Sequence, residues 1–256
     1  MKLSDINLFP LNLSQLKKSI VRNFICIFFL FVGCKKENDL LTTYKSDFKS
    51  TEISTISTLE YKANNPNEWQ IANNRIECLV SNENRRLGLL TRQLASNDGN
   101  AEVKVSLGFF NNTISSLNKN WAGFHIGSKN NIANKNLNKK KGINIGICTN
   151  GALFIGSPSP NFKNKKIIDA LKNGIDLKIL ITNNNSIYTI DFSVIEQLSG
   201  KILGRISKRN ISAEKLSGDL SLISSFENSE KEKINKTKSV WFQNWELKGT
   251  KVAILQ

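Results

Sequence analysis

The chain is poor in the residues that build most active sites. Its 256 residues include one histidine, His125, four cysteines and one methionine. A binuclear metallohydrolase, a His-rich zinc site or a cysteine-rich cluster cannot be assembled from that inventory. Long apolar runs are also missing. The stretch Phe24–Gly33 (FICIFFLFVG) falls well short of the roughly 20 residues that cross a bilayer. A hydrophobic content of 39% is too low for a polytopic membrane protein, while mean hydropathy of −0.28 argues against disorder throughout. No internal repeat of fixed period is present, which argues against a propeller. Acidic groups are the minority, 21 against 36 Lys and Arg, for a net charge of +15. A basic exterior suits anionic partners such as acidic glycans or lipid head groups. Composition is the simpler reading: Asn occurs 34 times, and AT-rich genomes encode Lys- and Asn-heavy chains.

The N-terminal region reads as an address. Lys17, Lys18 and Arg22 precede the apolar run, the arrangement of a secretory signal peptide. The run ends Phe31-Val32-Gly33-Cys34, and a small residue directly before Cys resembles the lipobox of bacterial lipoproteins. Phe31 stands where that motif usually has Leu. The resemblance implies a signal peptide over 1–33 and a lipidated Cys34. Several acyl chains anchor stably, because each buried CH₂ contributes about 0.8 kcal/mol. Lys35-Lys36-Glu37-Asn38-Asp39 resembles the signal that sends some Gram-negative lipoproteins to the outer face of the outer membrane. Residues 1–33 hold four basic groups and one acidic group, so the processed chain would carry +12. Nucleic acid is a poor partner for such a protein. Residues 34–58 are polar and read as a flexible tether, followed by one folded domain over 59–256.

That domain reads as strands. Ala101, Val103, Val105, Leu107 and Phe109 alternate with Glu102, Lys104 and Ser106. Leu177, Ile179 and Ile181 alternate likewise, as do Tyr188, Ile190, Phe192 and Val194, and Ile143, Ile145 and Ile147. Period-two alternation marks a half-buried strand. Asn150-Gly151 and Ser199-Gly200 separate strand pairs, with further turns at Asn97–Gly99 and Asn183–Asn185. One short helix fits Asn164–Lys172. About a dozen short strands with almost no helix mean an all-β, two-sheet sandwich or barrel. Asn130–Lys141 and Glu227–Lys238 are polar and charged, and read as mobile surface loops. Cys78 and Cys148 either pair in an oxidising envelope or pack as buried thiols; their apolar surroundings favour the second.

Three stretches carry a resemblance: Trp69-Gln70-Ile71 through Glu77, Gly142–Gly156 (GINIGICTNGALFIG) and Val240–Gly249 (VWFQNWELKG). Together they resemble the concanavalin A-like, laminin-G-like superfamily, which implies an antiparallel jelly-roll sandwich. More closely they resemble the region ahead of alkaline-phosphatase-D-type phosphatase domains in envelope lipoproteins. With His125 the sole histidine, that resemblance implies the accessory domain alone.

Glycoside hydrolysis on a jelly roll needs two carboxylates in one cleft. The acidic triplet of laminarinase-like members is absent, and Asp191 with Glu196 is the nearest approach. No catalytic residue, metal site or cofactor is therefore expected. Calcium has little support, since Asn130–Lys141 contains no Asp or Glu. The aromatics are the better lead, because rings stack on sugars while amides bond hydroxyls. Trp121 and His125 share a face, and so do Trp241, Gln243 and Trp245 in a simple alternation. With Asn244 these are the candidate ligand-binding residues. The expectation is a non-catalytic, cell-surface jelly roll binding a polysaccharide or another envelope ligand; the alternatives are a degenerate glycoside hydrolase and a truncated accessory domain of a metallophosphatase-type lipoprotein.

Overall fold

The structure is a computed structural model. It describes residues 41–46, 48–49, 54–55, 60–96, 98–110, 120–128, 142–158, 163–227 and 237–255. The expected signal peptide, Cys34, most of the tether, residues 130–141 and residues 228–236 lie outside these. Among the described residues the strands are, in chain order, β1 (Thr42–Lys45), β2 (Ser54–Thr55), β3 (Tyr61–Ala63), β4 (Trp69–Ala72), β5 (Arg75–Cys78), β6 (Arg85–Leu94), β7 (Ala101–Phe109) and β8 (Trp121–Ser128). They continue with β9 (Ile143–Cys148), β10 (Leu153–Ile155), β11 (Ile175–Asn184), β12 (Ile187–Glu196), β13 (Ile202–Ser212), β14 (Gly218–Ser225), β15 (Val240–Gly249) and β16 (Val252–Ile254). Two short helices, α1 (Lys165–Leu171) and α2 (Ala213–Leu216), precede β11 and β14.

The strands build two antiparallel sheets. The nine-stranded sheet runs β13-β12-β11-β7-β15-β5-β4-β2, with β1 also on β15. The seven-stranded sheet runs β10-β9-β8-β14-β6-β16, with β3 also on β6. Alternation drives the stacking. Val103, Val105 and Leu107 of one sheet and Phe124 and Ile126 of the other enter a single apolar cluster. The hairpin between β11 and β12 turns on Asn185 and Ser186, both at positive φ (54° and 65°), the pair of left-handed residues that matches strand twist. Asn164 caps α1 by accepting from the Ile167 N–H. Cys78 and Cys148 are both free and buried.

Two expectations need correction. The segment read as a tether contributes to the sheet, because Thr42–Lys45 pairs with β15 from Gly249 to Glu246 and Ser54–Thr55 pairs with β4. Phe48 is buried in the core, and the Tyr44 hydroxyl bonds that of Tyr61 at 2.7 Å. The compact unit therefore includes Thr42–Lys45. Thr-Thr-Tyr-Lys is too short and polar to show a period; backbone pairing along β15 makes it a strand.

The second correction concerns β15. Gln243 faces Ser106 on β7 and Glu246 faces Lys104, so three steps oppose two. The extra residue is a β-bulge at Asn244, exposed with φ 52°, a conformation Asn tolerates. The bulge resets the alternation. Trp241 stays on the outer face, while Trp245 turns inward, fully buried and stacked on Tyr61. Trp245→Ala should cost about 3–5 kcal/mol in urea unfolding, and Trp241→Ala, outside the core, clearly less. Equal losses would contradict the bulge.

Candidate functional site

The outer face of the seven-stranded sheet carries the more unusual chemistry. On β8, Ala122, Phe124 and Ile126 enter the core, so Trp121, Gly123 and His125 face away from it. Strand register then sets rows. Asn144, His125, Ser221 and Gly88 lie side by side across four strands. The neighbouring row is Gly146, Gly123, Ile223 and Arg86.

Trp121 lies over Gly146, where an added Cβ would stand 3.1 Å from the indole and 2.5 Å from the Ala122 carbonyl. It meets Phe154 edge-on at 5.0 Å, in a small apolar cluster with Cys148, Ala152 and Ile223. Its ring is committed to packing against Phe154 and Gly146.

His125 is 5% exposed. Its Nδ1 stands 2.6 Å from Asn144 Oδ1, which makes Nδ1–H the donor and leaves Nε2 a bare acceptor. Nε2 is buried with no hydrogen-bond partner. Gly142, at φ 125°, lies against it, and a Cβ there would approach Nε2 to 2.6 Å. Burial, then the charge of Arg86, pushes the imidazole down to about 4, so the ring is neutral at physiological pH. Arg86 is 3% exposed, and burial lowers its guanidinium to about 10, still cationic at neutral pH. Its Nε and Nη2, and Ser221 Oγ, are buried without hydrogen-bond partners.

The other outer face is satisfied. Trp241 lies on Gly108 and Gly174, whose missing side chains make room for the ring, and the Arg75 guanidinium stands 5.2 Å from its centre. Glu77 is fully buried beside it and accepts from Gln70 at 2.8 Å, Arg75 at 2.7 Å and Lys238 at 2.6 Å. Burial raises its carboxyl, but those three donors outweigh burial and hold it below the usual range. Gln243 is half-buried, and exposed Asn244 reaches Ser106 Oγ at 3.5 Å. Asp191 accepts from Ser207. Among the described residues no group of three or more His, Cys, Asp or Glu could hold a metal ion.

The six nominated residues thus do not form one site. Trp121 and His125 share one outer face; Trp241, Gln243 and Asn244 share the other; Trp245 lies between the sheets. Arg86, Asn144 and Ser221 join His125 although sequence reasoning did not single them out. The alternation of Leu87 and Leu89 already turns Arg86 outward; its burial there has no signature in the chain.

No protein-family model matches this sequence, and no curated protein matches it. Solved structures match in fold. Basic winged bean lectin, solved with Tn-antigen, has a TM-score of 0.55 at 10% identity, over 85% of this chain and 100% of the lectin. Arcelin-5, a lectin-like defence protein from Phaseolus vulgaris, gives 0.54 at 10% identity, over 82% and 98%. Winged bean acidic lectin, complexed with methyl-alpha-D-galactose, gives 0.51 at 11% identity, over 85% and 100%. The chain has the concanavalin A-like jelly-roll fold. At these identities the likeness is one of fold alone.

The neutral, buried His125 has a pH signature. Its ordinary value is 6.5 and its folded value about 4. Between them the unfolded chain binds the proton and the folded chain does not, so stability falls as pH drops through that window. Urea unfolding should show His125 contributing a loss of up to about 3 kcal/mol between pH 7 and 4. His125→Gln should flatten that part of the profile; an unchanged profile would refute it.

Proposed function

We propose that this chain is a carbohydrate-binding domain displayed at the bacterial cell surface on a lipid anchor at Cys34, and that it binds glycan without cleaving it. The observation that carries the reading is the row Asn144, His125 and Ser221 with Arg86 beside it. Neighbouring strands hold a bare acceptor, a hydroxyl and two N–H groups without partners on one sheet face. Sugar hydroxyls are recognised by groups of that kind. The fold supports the reading, because the winged bean lectins that share it were solved with Tn-antigen and with methyl-alpha-D-galactose.

The carboxylates favour binding over turnover. Hydrolysis needs an acid and a partner carboxylate free to act across one bond. Glu77 is held by three donors, and Asp176 is engaged by Ser106, Lys104 and Gln197. Location rests on the lipobox-like Gly33-Cys34 and the Lys-rich segment after it.

A glycan array probed with the full chain at low and at physiological salt tests the reading. Binding should survive the higher salt, because screening removes only the diffuse charge contribution. His125→Gln should weaken it about 3- to 10-fold, the worth of one hydrogen bond. Binding that vanishes with salt, or none, would contradict it. A fatty-acid probe should label the full chain in cells, and Cys34→Ser should abolish the label. Equal labelling would remove the anchor.

A further inference from the structure

A buried guanidinium ordinarily stands against a carboxylate, since taking a charge out of water without a counter-charge costs several kcal/mol. Even half-buried Arg75 is paired with Glu77 at 2.7 Å, and half-buried Arg85 with Glu68. Arg86 does not follow the rule. It is 3% exposed, and no carboxylate among the described residues pairs with it. The two atoms left without partners, Nε and Nη2, form the side-on edge of the guanidinium. That edge grips a planar carboxylate through two parallel hydrogen bonds.

The surroundings narrow the ligand. Gly88 and Gly123 carry no side chains, so within the sheet only Ser221 and Ile223 stand between the Arg86 and His125 positions. The charge of Arg86 is felt at His125. His125 Nε2 can only accept, and Ser221 Oγ can donate or accept. A simple anion would use the Arg86 edge and leave the other two idle. A neutral sugar would use those two and leave the cation bare. A sugar that carries a carboxylate satisfies all three.

We propose that this sheet face binds an acidic sugar, a uronic acid residue of a polysaccharide, with its carboxylate on the side-on edge of Arg86 and its hydroxyls on His125 Nε2 and Ser221 Oγ. The inference rests on the carbohydrate-binding reading and narrows it. Arg86 is then the residue that selects acidic over neutral glycan. Because Arg86 is so little exposed, entry requires the neighbouring side chains to part, and association falls below the usual 10⁵–10⁷ M⁻¹s⁻¹.

The test titrates the full chain by calorimetry at physiological salt with oligosaccharides of galacturonate, glucuronate and mannuronate, with neutral β-glucan oligosaccharides and with dextran sulfate. At least one uronate series should bind more tightly than the neutral series. Arg86→Gln should weaken it by about 10- to 100-fold, the range for hydrogen bonds to a charged group. Arg86→Lys should also weaken it, since an ammonium lacks the fork. The melting temperature of Arg86→Gln should hold or rise, because an uncompensated buried charge is removed. If Arg86→Gln fails to fold, Arg86 is structural and the proposal is overturned. Uronate binding unchanged by both variants would also overturn it, leaving only diffuse net charge. Dextran sulfate bound in preference to every uronate would overturn the carboxylate assignment. Neutral glucan bound as well as uronate would overturn the acidic-sugar inference and leave the broader reading standing. No binding to any sugar would end both.

Discussion

The apolar layer shared by the two sheets constrains everything else in this chain. Each strand commits alternate residues to it, so each strand has one face left for other work. Val103, Val105 and Leu107 fill the layer from one side, Phe124 and Ile126 from the other, and the residues between them are thereby assigned outward. A single added residue reverses the assignment. Asn244 does this in β15, and Trp245 becomes core while Trp241, four residues earlier, remains outside. Function can be read only from residues that this layer releases.

The two released faces treat polar groups differently. On the nine-stranded sheet buried charge is neutralised: Glu77 takes three donors, and Asp176, half-buried, takes Ser106, Lys104 and Gln197. On the seven-stranded sheet Arg86 keeps its charge with no carboxylate paired to it among the described residues, and His125 keeps a bare nitrogen. With 21 acidic against 36 basic side chains, carboxylates are scarce, and those on the nine-stranded face are already engaged. A buried cation left without a counter-charge is costly to stability, which is the kind of expense that binding sites carry.

Much of the fold is legible in the chain. Period-two runs such as Val103–Leu107 and Tyr188–Val194 mark strands because their alternation is long and clean, and Asn150-Gly151 marks a hairpin because it supplies a left-handed residue. Thr42–Lys45 is illegible because its strand character comes from pairing with β15, about 200 residues downstream though adjacent in space. The reversal at Asn244 is illegible because alternation predicts its own continuation, and only the register against Ser106 and Lys104 reveals the extra residue. The site was half legible. His125 stands out as the sole histidine, whereas Arg86 and Ser221 are ordinary residue types whose importance lies in burial without partners. Trp121 stands out in the chain as an aromatic, yet Gly146 beneath it and Phe154 beside it give it a packing role.

The most direct measurement is the ¹⁵N–¹H spectrum of the arginine side chains during titration with uronic acid oligosaccharides, with the Arg86 Nε–H signal assigned through Arg86→Lys. A carboxylate seated on the side-on edge of Arg86 moves that signal strongly and moves the His125 Nε2 resonance with it, while neutral β-glucan oligosaccharides leave the Arg86 signal in place. An Arg86 Nε–H signal that stays fixed at saturating uronate, with shifts confined to other residues, would contradict a ligand face on the seven-stranded sheet.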